Sequence, residues 1–334
     1  VHKVSCVVCH HKGSLIDNAV KSLLGQKDVI VEVVIATSDQ QCVDKFTDVE
    51  RVRVFYCEGG PAHKRNIALR FAQYPLIAFF DDDIEATPYA TYYMAKALDN
   101  ENIGLCFGKL LNMEFHHKFD EAGSYLTSSG FLWARAESGV EDRGQFDKPE
   151  EVLAGKSASC MIRRKVFSEV GMFDSSYEIL GEETDLAWRV WLSGYKVLYV
   201  PASVTHHAFN TRFKPQDMYI PKRVYFNGCR NYISMLLTNL EVINLLIPII
   251  TQVVVWISAG VGMILTGKRE AGVYIFKGLW YVIRNLRSIM NKRHKVQSSR
   301  KIKDKELFKL VLRNPPVIYY INRFFHYIKT GRHG

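Results

Sequence analysis

Three consecutive carboxylates, Asp81, Asp82 and Asp83, follow directly on the apolar run Leu76–Phe80, and a second acidic group, Glu182-Glu183-Thr184-Asp185, lies about a hundred residues later. Carboxylates crowded at one strand end repel one another, so a fold that keeps them there calls for a divalent cation, and oxygen ligands suit Mg²⁺ or Mn²⁺. Such a cation neutralises a diphosphate, which makes the two clusters together the signature of a metal-diphosphate enzyme. An acidic triplet is equally a favoured turn, so the case depends on the elements that must position it.

The first third of the chain alternates strand-like and helical spacing. Val4–Cys9 reads as a strand, Ser14–Leu24 as a helix through Leu15, Ala19 and Leu23, Ile30–Ile35 and Arg53–Tyr56 as strands, His63–Ala72 as a helix and Leu76–Phe80 as a buried strand. This alternation predicts an α/β fold with a parallel sheet covered on both faces. In such sheets ligands bind beyond the carboxyl ends of the strands, which is where Asp81–Asp83 fall. Gly59-Gly60-Pro61 is a turn, and neither a G-x-G-x-x-G nor a Walker pattern occurs, leaving phosphate to the metal. Further on, Ser138–Lys148 reads as a mobile loop, Ser157–Ile162 as extended and Leu186–Leu192 as a helix capped by Gly194. Val197–Val200 reads as a strand ending at Pro201, with His206-His207 beyond it.

Charge divides the chain in two. The net charge of +10 arises wholly in residues 268–334, which carry 17 Lys/Arg against three acids, whereas residues 1–267 are net −4. From Val242 to Gly267 no residue is charged, long enough to cross a bilayer, with Pro248 placed to kink it. A basic tail beside an apolar segment points to an anionic membrane surface and, through the positive-inside tendency, to the cytoplasmic side. A single span would put body and tail on opposite sides, so the segment is expected to re-enter, to lie in the interface or to pair with a second insertion near Ala271–Ile283. Lys292-Arg293-His294-Lys295 and Arg300-Lys301-Ile302-Lys303 lack interleaved aromatics, which disfavours nucleic acid. The Val4–Cys9 run ends in His10-His11-Lys12 without a small-residue cleavage site, so the body is expected not to be exported. Seven cysteines without framework spacing imply reduced thiols, and Cys6 and Cys9 read as parts of a buried strand rather than a redox or zinc half-site.

In order along the chain, Ser22-Leu23-Leu24-Gly25-Gln26, Lys64-Arg65-Asn66-Ile67-Ala68, Phe80-Asp81-Asp82-Asp83, Val170-Gly171-Met172-Phe173-Asp174, Glu182-Glu183-Thr184-Asp185-Leu186 with Arg189, and Gly194-Tyr195-Lys196-Val197 with Pro201 and His206-His207 resemble the family 2 inverting glycosyltransferases, in their rhamnosyltransferase-like branch. Arg230-Asn231 and the basic tail resemble the membrane-associated members. The resemblance implies a glycosyltransferase A (Rossmann-like) domain binding a nucleotide-sugar donor. It makes Asp81 and Asp83 the D-x-D motif with Asp83 the direct metal ligand, and His206 or His207 the metal-binding histidine; Asp81, Asp82, Lys64 and Arg65 are the expected donor contacts. Glu183 matches the position of the general base, but Glu stands where the family has Asp, leaving Glu182 and Asp185 as competitors. The family's Asp after the second strand is replaced by Ala36, so base recognition falls to Ser38, to Asp39 or to a different arrangement.

The residue types suit inverting sugar transfer, which needs a carboxylate to take the acceptor's proton and a cation for the departing diphosphate. Arg65 and Lys64 are placed to assist from a helix N-terminus. Arg189 is either an ion-pair partner of Asp185 or a diphosphate contact, and Trp188 and Trp191 read as core or acceptor-loop walls. The expected organisation is a catalytic domain over 1–215, a connecting helix over 216–241, membrane-inserting or interfacial helices over 242–285 and a basic juxtamembrane tail over 286–334. The expected reaction moves a hexosyl or deoxyhexosyl group to a lipid-linked oligosaccharide or polysaccharide at the cytoplasmic membrane face. The alternatives are direct transfer to a polyprenyl phosphate and a catalytically degenerate, membrane-tethered scaffold.

Overall fold

The computed structural model describes residues 1–13, 15–208 and 221–330. The described residues form two compact units, one of 1–124, 134–178 and 182–208, the other of 125–133, 179–181 and 221–330. Ser14, the 215/216 boundary and the last four residues of the tail lie outside the described residues.

The first unit is built on a sheet whose strands are β1 (His2–His10), β2 (Val29–Thr37), β3 (Val52–Tyr56), β4 (Leu76–Asp81), β5 (Ile84–Ala86), β6 (Ile103–Asn112), β7 (Phe119–Glu121), β10 (Glu150–Glu151), β11 (Ser159–Arg163) and β12 (Lys196–His207). Between them, β8 (Ser124–Leu126) and β9 (Leu132–Ala134) form a small separate ribbon. The main order is β10-β12-β6-β11-β4-β1-β2-β3, with β5 paired to β12 and β7 to β6. The β4-β1-β2-β3 part is parallel, as the alternation implies. The whole sheet is mixed, because β11 runs antiparallel to both β4 and β6. That strand lies where the βα alternation has faded, and the sequence shows its extended character without its direction.

Helices cover both faces. Ala78 and Phe80 of β4 join a core with α1 (Ile16–Leu24), α2 (Gln40–Phe46) and α4 (Ala90–Ala97). Phe79 points the other way and meets Phe167 of α5 (Arg164–Val170) and Phe173 edge-on. Strand β4 is apolar without alternation because both its faces are buried. Phe79 and Phe80 are almost wholly buried, each contributing about 1.5–3 kcal/mol, so the strand that ends at Asp81 is fixed from both sides. α3 (Pro61–Phe71) packs on β1 and β2, and α6 (Glu182–Leu192) on β6 and β12. Trp188 and Trp191 are core residues at 0% and 2% exposure. All seven cysteines are free thiols, with Cys6 buried within β1.

Two expectations fail here for physical reasons. Strand β12 does not stop at Pro201; it passes through with a register shift between Val200 and Val204, the bulge accommodating a residue that has no N–H for the ladder. The Ser138–Lys148 loop is tied down, since buried Lys109 pairs with Asp142 at 2.6 Å and Asp147 at 2.5 Å.

The second unit is helical: α7 (Pro221–Asn239), α8 (Leu246–Leu265), α9 (Arg269–Arg284), α10 (Leu286–Ser298), α11 (Asp304–Val311) and α12 (Val317–Thr330). Pro248 falls in the first turn of α8, where its missing N–H leaves no intrahelical bond unmade, and so it starts the helix rather than kinking it. One stripe of α8, Gln252, Trp256, Ala259, Gly260 and Met263, is buried. Helices α8 and α9 touch backbone to backbone, because a Cβ at Gly272 would lie 2.5 Å from the Gly260 carbonyl. The opposite stripe, including Ile250, Val254, Ile257 and Val261, is exposed by 42–56%. By length and composition α8 is long and apolar enough to cross a membrane. In α7, Arg230 lies 4.8 Å from the ring centroids of both Phe226 and Tyr281.

Candidate active site

Strand β4 ends at Asp81, and Asp82-Asp83 make the turn into β5. The turn and metal readings of this triplet therefore coincide. The end of β12 lies alongside, with the Ala208 N–H donating to the Asp83 carbonyl at 2.9 Å. Successive side chains of a strand point to opposite faces, so only one of the paired histidines can reach the carboxylates. It is His207: its Nε2 is 3.2 Å from Asp83 Oδ1 and 3.8 Å from Asp81 Oδ2. One donor atom from each of Asp81, Asp83 and His207 lies within 4.8 Å of the others. Of the two alternatives, His206 lies outside this cluster: it faces away and stacks on His116 with ring centroids 4.1 Å apart.

The other nitrogen of His207, Nδ1, is 2.8 Å from Asp120 Oδ2, and Lys156 Nζ donates to Asp120 Oδ1 at 2.7 Å. Burial would raise the Asp120 carboxyl, but the His207 and Lys156 contacts outweigh it and hold the group at about 2. An ionised Asp120 keeps a proton on Nδ1, so Nε2 is the nitrogen that would give up its proton to a cation beside Asp81 and Asp83, the support that metal-binding histidines characteristically have. Burial also opposes charge on His207, yet the hydrogen bonds to Asp120 and Asp83 raise it to about 10, the mark of a pocket that favours positive charge. Two carboxylates with one imidazole, within reach of one another, fit a divalent cation. Sequence reasoning missed Asp120, which comes from a three-residue strand 87 residues from His207. No local pattern marks it; only the pairing of β7 on β6 brings it in.

The second acidic cluster opens α6, where Glu182, Glu183 and Asp185 in the first turn suit the positive end of the helix. Two of the three candidates are committed elsewhere. Glu182, 4% exposed, accepts from Arg65 Nη1 at 2.9 Å, and Arg65 Nη2 donates to Asp81 at 3.1 Å. Arg65 therefore ties the two acidic clusters together and is a carboxylate partner rather than a contact at a helix N-terminus. Asp185 pairs with Arg189 at 2.8 Å, and Arg189 also donates to the Gly171 and Met172 carbonyls, so Arg189 is an ion-pair and loop-holding residue. Glu183 shares neither pairing, and removal from water together with the negative charge of Glu182 pushes its carboxyl well above the usual range.

On the other side of the strand ends, Lys64 Nζ donates to the His10 carbonyl at 2.7 Å and to Ser38 Oγ at 2.9 Å, while His11 Nδ1 is 2.8 Å from Ser38 Oγ. His10 Nε2 lies 3.8 Å from Asp82. Ser38 is thus the member of the Ser38/Asp39 pair that joins a polar cluster at the sheet edge. Asp39 is diverted to cap α2, accepting from the Gln41 N–H at 3.1 Å. The turn before α3 must approach the 178 backbone closely, since a Cβ at Gly60 would stand 2.3 Å from the Glu178 carbonyl oxygen.

The sequence pattern of glycosyl transferase family 2 matches residues 5–171, half of the chain, and takes in β1 to β4 and the Asp81–Asp83 turn. The chain belongs to glycosyl transferase family 2. Among curated relatives, it is 37% identical over 81 residues to the N-acetylglucosaminyl-diphospho-decaprenol L-rhamnosyltransferase of Mycobacterium tuberculosis, covering 23% of this chain and 26% of that protein. It is also 29% identical over 102 residues to the probable N-acetylgalactosaminyltransferase 8 of Caenorhabditis elegans, covering 28% and 24%. The matched stretches thus span about a quarter of the length of these curated relatives. Among solved structures, S. aureus TarS 1–349 in complex with UDP-GlcNAc superposes with a TM-score of 0.57 at 17% identity, over 89% of this chain and 91% of that one. GalNAc-T7 with UDP, GalNAc and Mn²⁺ superposes with a TM-score of 0.52 at 17% identity, over 70% and 50%. These two likenesses establish a glycosyltransferase A-like mixed α/β fold.

Proposed function

We propose that the protein is a metal-dependent, inverting glycosyltransferase that moves a sugar from a nucleoside-diphosphate donor to a hydroxyl of a lipid-linked glycan at the cytoplasmic face of a membrane. The observation that carries this reading is the convergence of Asp81, Asp83 and His207, with Asp120 behind the histidine, at the carboxyl edge of the sheet. Asp81, Asp83 and His207 would hold the cation, which when bound offsets the charge of the donor's diphosphate. Glu183 takes the proton of the acceptor hydroxyl as its oxygen bonds to the anomeric carbon; the bond from that carbon to the diphosphate oxygen breaks on the opposite face and inverts the centre. Ser38, Lys64 and Asp82 line the side on which the nucleoside would lie, and Arg65 holds Asp81 and Glu182 in register.

Membrane action is supported by the exposed apolar stripe of α8 and by the 17 Lys/Arg of residues 268–334, suited to an anionic leaflet. Helix α8, uncharged along its whole length and buried on one stripe only, suits insertion into a bilayer, and tethering there raises the effective concentration of a lipid-linked acceptor. The relative from Mycobacterium tuberculosis, whose name places its acceptor on decaprenol, supports an acceptor of this kind.

The test is transfer by purified protein from UDP-, GDP- and dTDP-sugars, with Mn²⁺, to vesicles carrying lipid-linked glycans. One donor is expected to yield its nucleoside diphosphate and a product of inverted anomeric configuration. Retention of configuration, or no transfer to any such acceptor, overturns the reading.

A further inference from the structure

The helical unit contains a cavity of about 350 Å³, within the size range of small-molecule sites. Its walls include Phe131, Tyr232, Trp256 and Phe324, with Ala259 among them, and Arg323 is the only charged residue lining it among the described residues. Two further lining residues, Ile321 and Phe325, are 45% and 63% exposed, so the cavity opens on apolar surface. Nothing in the glycosyl-transfer chemistry uses this cavity; its lining comes from 127–132, α7, α8 and α12 and includes none of the carboxylates or histidines of the sheet edge.

We infer that this cavity binds the isoprenoid chain of a phosphate-bearing lipid, with Arg323 at the phosphate end. The inference rests on the lipid-linked acceptor proposed above and names where its lipid is held. Three observations select the occupant. The aromatic walls offer flat faces to the planar, methyl-bearing alkenes of isoprene units, which a saturated alkyl chain lacks. The single guanidinium, 5.7 Å from the Tyr319 ring centroid, supplies one fork of donors suited to a phosphate. The exposed apolar stripes of α8 and α12, including Val254, Ile257 and Ile318, give a longer chain a path along the same unit. The volume admits a few isoprene units, so the cavity holds the head-proximal part of the chain.

Farnesyl phosphate, used below its micellar concentration, is the probe, and quenching of Trp256 fluorescence in the full-length protein is the signal, with Trp256→Phe as the control that removes it. Saturable binding is expected, at least tenfold tighter than dodecyl phosphate. Ala259→Phe, which fills the cavity, is expected to weaken binding at least tenfold. Arg323→Gln is expected to abolish the preference for farnesyl phosphate over farnesol while farnesol still binds, a difference that misfolding would not give. Nucleoside-diphosphate binding with Mn²⁺ is measured on every variant and is expected to stay within twofold. If nucleotide binds but farnesyl phosphate does not, or if dodecyl phosphate binds equally well, the cavity assignment is overturned while the transferase reading stands. If farnesyl phosphate binds and nucleotide does not, the cavity assignment stands and the transferase reading fails.

Discussion

His207 Nδ1 and Asp120 Oδ2 lie 2.8 Å apart, and Asp120 is 5% exposed. The contact keeps a proton on Nδ1, so Nε2 is the nitrogen that would lose its proton to meet a cation beside Asp81 and Asp83. Asp120 thus stands behind the Asp81, Asp83 and His207 cluster as the support of its histidine. Removing it changes affinity without removing a ligand.

Asp120→Asn is expected to lower Mn²⁺ affinity by about 10–100-fold, the usual effect of losing such a support, as read by metal titration with electron paramagnetic resonance. His206→Ala, on the opposite face of the strand, is expected to leave affinity within twofold, whereas His207→Ala removes a ligand. Equal losses from His206→Ala and His207→Ala would contradict the assignment made from the pleat.

The raised Glu183 carboxyl gives the transfer rate a pH dependence of definite sign. A general base works ionised, so the rate constant for transfer is expected to rise with pH through a limb above the ordinary glutamate range, because burial and Glu182 hold the proton on Glu183. Glu182→Gln removes the negative neighbour, and the limb should move to lower pH. Glu183→Gln is expected to cost about 10²–10⁴-fold in transfer with donor binding retained. A pH profile that Glu182→Gln leaves in place would assign the base elsewhere.

Arg65 and Glu182 form a buried pair, 3% and 4% exposed, with Asp81 as a third member. Arg65→Met leaves a buried carboxylate without its partner and is expected to destabilise the first unit by about 3–5 kcal/mol in denaturant unfolding. Adding Glu182→Leu should restore much of that loss, since a matched apolar pair avoids the desolvation cost. No recovery in the double variant would mean that Arg65 acts mainly through Asp81.

The sequence makes the first half of the sheet legible because β1 to β4 repeat one strand–helix unit with largely apolar strands, and Asp81–Asp83 follow from the end of the last. The rest is carried by non-local pairing. The direction of β11 depends on its two neighbours, and a strand stopped at Pro201 leaves no parity with which to choose between His206 and His207; the bulge that carries β12 onward settles the choice. Asp39 is a strong cap residue, and its use as the cap of α2 is a local role that its place after β2 does not reveal. Asp120 lies in a three-residue strand without periodicity or motif. Glu182, Glu183 and Asp185 are alike in sequence; they separate only once Arg65 and Arg189 are seen to hold two of them.

The central claim is that Asp81, Asp83 and His207 hold a divalent cation for a nucleoside diphosphate. Calorimetric titration of the full-length protein with UDP, GDP and dTDP, in Mn²⁺ and in chelator, tests it most directly when Asp83→Ala is run in parallel. The expected result is that one nucleotide binds in Mn²⁺ and loses at least tenfold in affinity both in chelator and in the variant. Binding of equal strength in chelator, or undiminished in Asp83→Ala, would contradict the account.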